Sequence, residues 1–533
     1  MTSPAANHAA SQASAEPIPA LARDLSRLSG MVRTLAPRAP MTITSPLDGR
    51  VIGSVPMCAA EDVAHAVGVA RAAQAAWAAL PVRERVKPFR RFNDVLLDRR
   101  FDIADLIQLE NGKVRANALE DVFDTCINTR FYSYHGPSLL RPRRKAGAVP
   151  LLTSSTVYPK PFGVVGLIEA WNYPFNLPMQ DAIAALIAGN TVVIKVSELT
   201  PFSALFGLQL LRECGLPDDV LQIVTGDGRV AGAALIDHVD TVMFTGSTAT
   251  GRKIAAHCAE RLIPCSLELG GKNPVILLDD ADVAKALDVL VDSTLASAGQ
   301  MCVSFERLFI HDTIYDAVRD GLAKRYESLP MGVRCGAWDD EMSVLTSANQ
   351  LAHVQRHIED AVAKGARVIT GGSARPDIAP YAFEPTLLEN VTPDMAVYDG
   401  ESFGPVVSLY RFNDVEDAIR RANASLYGLN AAVFGRDVKR AHEVASRIQC
   451  GTVTVNEGHK AAWASVRAPQ GGWKQSGYGR RHGAEGILKF TQSQSISVQR
   501  FMVYARGERM SVRMFDRIYA TLMRVLPWLP GLR

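Results

Sequence analysis

Between Gly163 and Glu268 the chain alternates short β-branched apolar runs with helix-forming segments, and this constrains its fold more than any other feature. Val164 to Glu169 is an apolar run, and the Leu- and Ala-rich stretch from Leu177 to Ala188 predicts a helix. Thr191-Val192-Val193-Ile194-Lys195 reads as a buried strand bounded by Gly189-Asn190. Thr200 as N-cap and Pro201 at the first position open a helix predicted over Pro201 to Cys214, which Gly215 and Pro217 close. Further strands are predicted at Val220 to Val224 and Thr241 to Phe244, with a helix around Val230 to Ile236 between them. Strands alternating with helices in this way give a parallel, doubly wound sheet, which binds ligands at the carboxyl ends of its strands.

One strand end is chemically distinctive. In Phe244-Thr245-Gly246-Ser247-Thr248-Ala249-Thr250-Gly251 glycines and hydroxyls fall where a strand turns into a helix, so exposed backbone N–H groups can meet a phosphate. The spacing is G-x-x-x-x-G, without the G-x-G-x-x-G fingerprint or a Walker lysine, and such a turn alone serves as often as a helix cap. Lys195 and Glu198 follow another strand end, within reach of ribose hydroxyls; a solvated loop pair is the competing reading.

Acyl chemistry is suggested a little further on. Cys302 closes the small-residue run Ser297-Ala298-Gly299-Gln300-Met301, and Glu268 precedes Leu269-Gly270-Gly271. A thiolate that attacks a carbonyl and a carboxylate that later activates water are complementary halves of acyl transfer. A lone cysteine is more often a small buried hydrophobe. The nucleotide-type region just upstream is what raises Cys302 above that base level.

Composition excludes several classes. A chain of 533 residues exceeds one ordinary core, so two large domains are expected. A net charge of +3 does not make a nucleic-acid-binding surface, and Arg141-Pro142-Arg143-Arg144-Lys145 reads as a solvated loop. The eight cysteines form no C-x-x-C pair and no metal-ligand spacing, so no metal site is expected and a reducing, cytoplasmic setting is. Residues 1–39, rich in Ala, Ser and Pro, read as a flexible or loosely docked arm.

Taken together, the motifs over about residues 40–500 resemble the aldehyde dehydrogenase superfamily. They are Trp171-Asn172-Tyr173-Pro174, Lys195-Val196-Ser197-Glu198, Phe244-Thr245-Gly246-Ser247, Glu268-Leu269-Gly270-Gly271-Lys272-Asn273-Pro274 and Gly299-Gln300-Met301-Cys302. Glu401-Ser402-Phe403-Gly404-Pro405, Gly451 to Asn456 and Ser476-Gly477-Tyr478-Gly479-Arg480 follow in order. The resemblance implies an α/β chain of two doubly wound domains with a β oligomerisation arm. It assigns Cys302 as nucleophile, Asn172 and a backbone N–H as oxyanion donors, and Glu268 as the base that hydrolyses the thioester. Lys195 and Glu198 would hold the adenosine ribose of NAD, with NADP as the second option. Gly246 and Ser247 would lie beside the pyrophosphate, and Glu401 and Phe403 beside the nicotinamide ribose and ring.

The same resemblance divides the chain into a nucleotide domain (40–145 and 163–270), a catalytic domain (271–475), arm segments (146–162 and 491–500) and a tail (501–533). Arms of this kind pair with another subunit, so a homodimer or homotetramer is expected. Departures bear on the substrate. Gly400 replaces an acid common before Glu401, and Arg481-His482-Gly483 follows Arg480 where the family often has Glu. The run is similar to a bacterial branch called succinate-semialdehyde dehydrogenase, which makes succinic semialdehyde the first-choice substrate. Yet Gln180 stands where many such enzymes carry an arginine, leaving Arg467 or Lys460 as carboxylate partner beside Tyr173. Broad aliphatic or aromatic aldehyde oxidation, CoA-acylating reduction and a non-catalytic structural role are the competing functions; Glu268 argues against the second and the retained Cys302, Glu268, Asn172 and Lys195 against the third.

The tail carries its own pattern. Val512, Phe515, Tyr519, Leu522 and Leu526 share one face of a helix predicted from about Glu508 to Leu526, with Arg509, Arg513, Arg517 and Arg524 opposite. Pro527 stops it, and Trp528, Leu529 and Leu532 extend the apolar character. It either docks on protein or lies on an anionic membrane surface as a peripheral contact.

Overall fold

A computed structural model of the chain describes residues 19–147, 153–332, 334–500, 506–507 and 510–528. Its nucleotide-type half is a six-stranded sheet in the order Gly477–Tyr478, Cys265–Glu268, Thr241–Thr245, Val164–Ile168, Thr191–Lys195, Leu221–Val224. Every pairing is parallel except that of Gly477–Tyr478. The central strands are buried on both faces, which is why they read as unbroken apolar runs. Val164–Ile168 has Thr191–Lys195 on one side and Thr241–Thr245 on the other. The order of strands therefore reverses there, and a crevice opens at their carboxyl ends.

Two local expectations are amended. The segment around Val230 is a π turn, Gly228–Gly232, running into the helix Ala233–His238. The helix Pro201–Glu213 begins where expected, but Thr200 makes no side-chain cap bond. Glu110 does the work instead, accepting from the N–H groups of Phe202 at 2.6 Å and Ser203 at 2.9 Å. A carboxylate from another helix satisfies the orphan donors and faces the positive end of the dipole.

A second sheet of seven strands follows, in the order Arg367–Thr370, Thr386–Glu389, Val406–Phe412, Phe305–His311, Asn273–Leu277, Asn430–Phe434, Thr452–Val455. Alternate residues feed opposite faces, as strand geometry requires. Ile276, Phe309 and Tyr410 enter one apolar cluster, whereas Val275, Leu277 and Leu308 enter another.

A three-stranded antiparallel sheet joins Thr491–Gln499, Thr153–Pro161 and Arg143–Ala146. Nine consecutive residue pairs hold its long hairpin-like partnership, from Thr491 opposite Pro161 to Gln499 opposite Thr153. Residues 148–152 of the expected arm lie outside the described residues. So do residues 1–18, but the flexible reading fails beyond them: Pro19–Ser29 is a helix, and Leu25, Leu28 and Val32 are buried in the first core. Leu25 and Leu28, one turn apart, give that helix an apolar edge to bury.

The tail helix spans Val512–Val525, and none of its residues is buried. Arg509, Leu529 and Leu532 lie outside the described residues. No helix among the described residues is long and apolar enough to cross a membrane.

Candidate active site

A cavity of about 840 Å³ is lined from the carboxyl ends of the first sheet's strands and from the amino ends of the second sheet's strands. Cys302, Glu268, Asn172, Tyr173, Gly246, Ser247, Glu401 and Phe403 all border it. Residues separated by more than two hundred positions are thereby brought to one wall.

The loop before Cys302 is strained. Ser297 and Ala298 adopt φ of 54° and 56°, and Gly299 follows at 71°. Left-handed backbone in two residues bearing a Cβ costs roughly 1–3 kcal/mol each and persists only when the surroundings enforce it. Here they do. Ser297 N donates to Asn117 Oδ1 at 2.8 Å, while Gln300 Nε2 donates to Ser297 O at 2.9 Å and Val344 O at 3.1 Å. Asn273 Nδ2 donates to Cys302 O at 2.8 Å. Gly271 runs so close that a Cβ there would lie 2.6 Å from the same carbonyl oxygen, so only glycine fits. Asn172 Nδ2 donates to Gln300 O at 3.0 Å, fixing the amide beside the nucleophile.

Glu268 ends the strand Cys265–Glu268, opposite Thr245. It is buried, and its Oε1 has no hydrogen-bond partner. Burial pushes its pKa up to about 7, while Arg481 and Lys489 pull the other way. A carboxyl group balanced near neutrality, with one unpartnered oxygen, on a residue that lines a cavity is suited to accept a proton. Burial, aided by Glu401, also raises the Cys302 thiol to about 12, so in this state the sulfur is a thiol that must lose its proton to a base.

The loop carrying Glu401 and Phe403 is held from below. Glu306, in a buried ion pair with Lys272, accepts from Ser402 N at 2.9 Å and Phe403 N at 3.1 Å. Glu401 accepts from Gly271 N at 2.7 Å, and burial raises its pKa to about 8. Phe403, at φ 47°, packs edge-on against Trp171.

At the far strand end, Ser247 caps the helix Thr248–Glu260 by accepting from Thr250 N. Gly246 N donates to Glu268 O at 3.1 Å, tying the phosphate-type turn to the carboxylate strand. Lys195 Nζ donates to Glu198 Oε1 at 2.6 Å, and the same oxygen accepts from Gly228 N at 2.7 Å. That pair sits at the edge of the crevice and does not line the cavity itself. A helix N-terminus and a bare glycine turn at the strand ends present the kind of backbone N–H groups that can meet a dinucleotide's phosphates.

Two expected substrate residues are elsewhere. Arg467 is exposed, meets His135 Nε2 at 3.4 Å and does not line the cavity, because its loop turns outward. Gln180 is buried on the helix Asn176–Ala188 and also does not line it; that helix contributes Leu177. Arg481, in the sequence a departure from the family pattern, is buried against the cavity. Its Nε and Nη2 both donate to Asp181 Oδ2, at 3.0 and 2.8 Å, and Nη2 donates to Thr245 Oγ1 at 2.6 Å. Adjacent arginines beside a glycine turn were the only hint. Phe123, Ile127, His459 and Trp463, which complete the outer wall, carried no local signal.

A thiol and a near-neutral carboxyl facing one cavity, at the switch point of a dinucleotide-type sheet, define a nucleotide-linked thiol oxidoreductase. Residues 34–496 match the aldehyde dehydrogenase family, and the chain belongs to it as an NAD(P)-dependent oxidoreductase acting on aldehydes. It is 41% identical over 96% of its length to a Mycolicibacterium smegmatis protein named "Putative succinate-semialdehyde dehydrogenase [NADP(+)]", covering 99% of that protein. It is 37% identical to a Methylomonas 4,4'-diapolycopene aldehyde oxidase, over 84% of this chain and 83% of that one. Among solved structures, the NAD+ complex of a Bacillus cereus aldehyde dehydrogenase superposes with a TM-score of 0.83 at 34% identity, over 86% of this chain and 93% of that one.

Proposed function

We propose that this protein oxidises an aldehyde to its free carboxylic acid through a thioester on Cys302. The observation that carries the reading is that Cys302 and Glu268, whose buried Oε1 has no hydrogen-bond partner, border the same cavity. The Cys302 sulfur, losing its proton to a base, attacks the carbonyl carbon, and the oxygen that gains charge is met by the Asn172 amide and a backbone N–H. The bound dinucleotide supplies a hydride acceptor. Glu268 then takes a proton from water, whose oxygen attacks the thioester carbon, and the thiol leaves. Gly246, Ser247, Lys195, Glu198, Glu401 and Phe403 would hold the dinucleotide. NAD is favoured because the Glu198 carboxylate would repel a 2′-phosphate, with Lys195 tempering that repulsion enough to keep NADP as a second cofactor. A panel of aldehydes assayed with and without CoA tests the reading: NAD(P)H formation and free acid without CoA support it, and a strict need for CoA overturns it.

Assembly and location extend the same proposal. The long strand Thr491–Gln499 exposes Ile496 and Val498, the kind of edge another subunit covers in a homodimer or homotetramer. Light scattering giving a monomer mass would contradict this. The eight free cysteines suit the reducing cytoplasm. Arg513, Arg517 and Arg524 occupy one side of the tail helix, opposite a side that carries Val512, Phe515, Tyr519 and Leu522. That charge pattern fits an anionic lipid surface. Vesicles containing anionic lipid should co-sediment the full chain but not a chain ending at Arg500; equal sedimentation of both excludes the membrane, and a smaller oligomer on truncation assigns the helix to a subunit contact.

A further inference from the structure

We infer that the aldehyde taken by this cavity is uncharged and apolar, and not a semialdehyde carrying a carboxylate. The inference rests on the aldehyde-oxidising reading above. Four apolar or aromatic side chains make the outer wall: Phe123 and Ile127 from the helix Arg115–Leu139, Leu177, and Trp463. Tyr173 closes the inner side, its hydroxyl turned onto Met301 Sδ at 2.9 Å and its ring under the Lys113 ammonium. The indole of Trp463 is tied to the Asp124 carboxyl, which burial holds up to about 8 and therefore largely neutral.

Every cation of this wall is already engaged. Lys460, a half-exposed cation of this wall, is held at 2.7 Å by both Glu120 and Asp292. Those three groups together leave one negative charge. Arg481 is turned onto Asp181 by two nitrogens and onto Thr245 by one of them. His459 is buried, and desolvation lowers its pKa, which keeps the imidazole neutral. Arg467 points to His135. A substrate carboxylate would therefore meet a surplus of like charge at Lys460 and an arginine whose Nε–Nη2 fork is already taken by Asp181, an arrangement that disfavours an anion. Methylenes, by contrast, find Phe123, Ile127, Leu177 and Trp463 along their path, each contributing through area removed from water.

The test is a series of kcat/KM values for the purified full chain with propanal, hexanal, decanal, benzaldehyde and succinic semialdehyde. The value should rise with chain length, and decanal should exceed succinic semialdehyde by about 100-fold. Trp463→Ala and Phe123→Ala should each raise KM for decanal about tenfold more than for propanal, with kcat little changed, a split that general damage to the fold would not give. Glu120→Gln, which removes the surplus negative charge beside Lys460 while Asp292 still holds it, should narrow the gap by improving succinic semialdehyde. Succinic semialdehyde equal to or better than decanal overturns the inference, as does a uniform effect of the wall variants on short and long aldehydes. Failure of every aldehyde to give NAD(P)H would instead sink the proposed function itself, so the two failures are distinct.

Discussion

The two ends of the cavity are built differently. At the end we propose for the dinucleotide, the roles fall to backbone and strand ends: Gly246, the N-terminus of Thr248–Glu260, Gly271 beneath Cys302, and Glu268 at the last position of its strand. At the end we propose for the aldehyde, the wall is made by side chains from a helix at 115–139 and a short helix at His459–Ala464, distant in sequence and joined by packing, by the Lys460–Glu120 ion pair and by the Trp463 indole on Asp124. Backbone geometry needs particular residues at particular spacings, so it leaves motifs. A side-chain wall needs only shape and charge, which many combinations supply.

If that contrast is right, damage at the dinucleotide end should stop chemistry, and damage at the aldehyde end should change selectivity. Cys302→Ala should lower aldehyde turnover by roughly 10⁴-fold while leaving NAD binding, read by fluorescence titration, within about twofold. Substantial turnover by that variant would move the nucleophile elsewhere. Arg481 links the two ends, and Arg481→Gln should cost about 3 kcal/mol in urea unfolding, the lower end for breaking a buried pair, since Lys489 still meets Asp181 at 2.8 Å. A stability unchanged within error would mean that Asp181 needs no second cation.

Smaller effects sharpen the comparison. Glu268→Gln should slow steady-state turnover on the order of 100-fold and let a thioester accumulate, visible by mass spectrometry of the quenched enzyme. With the Glu268 carboxyl raised to about 7, the base is protonated below that pH, so wild-type turnover should fall as pH drops through about 7. The Gln variant should lose that inflection, and a shared inflection would assign it to another group. The least effect is expected at the cofactor edge. Glu198→Gln should shift the ratio of kcat/KM from NAD toward NADP by about tenfold, through loss of a charge that would repel the 2′-phosphate. An unmoved ratio would remove Glu198 from cofactor choice.

Local pattern determined a good deal. The strands at 164–168, 191–195 and 241–245, the helix from Pro201, and the pairing of a cysteine with a glutamate were all legible, because periodicity and turn chemistry act over a few residues. Even there the helix at Pro201 takes its cap from Glu110, ninety residues away, and not from Thr200. The N-terminal segment looked like a loose arm until Leu25 and Leu28 found a core to enter. Only tertiary structure decided the charge of the cavity wall. Arg467 carried the right functional group and points outward, Gln180 is buried away from the cavity, and Lys460 and Arg481 reach it already paired. A sequence states which charges a chain owns, but whether a charge is free depends on which partner packing brings within hydrogen-bond distance, and that is a property of the folded surface alone.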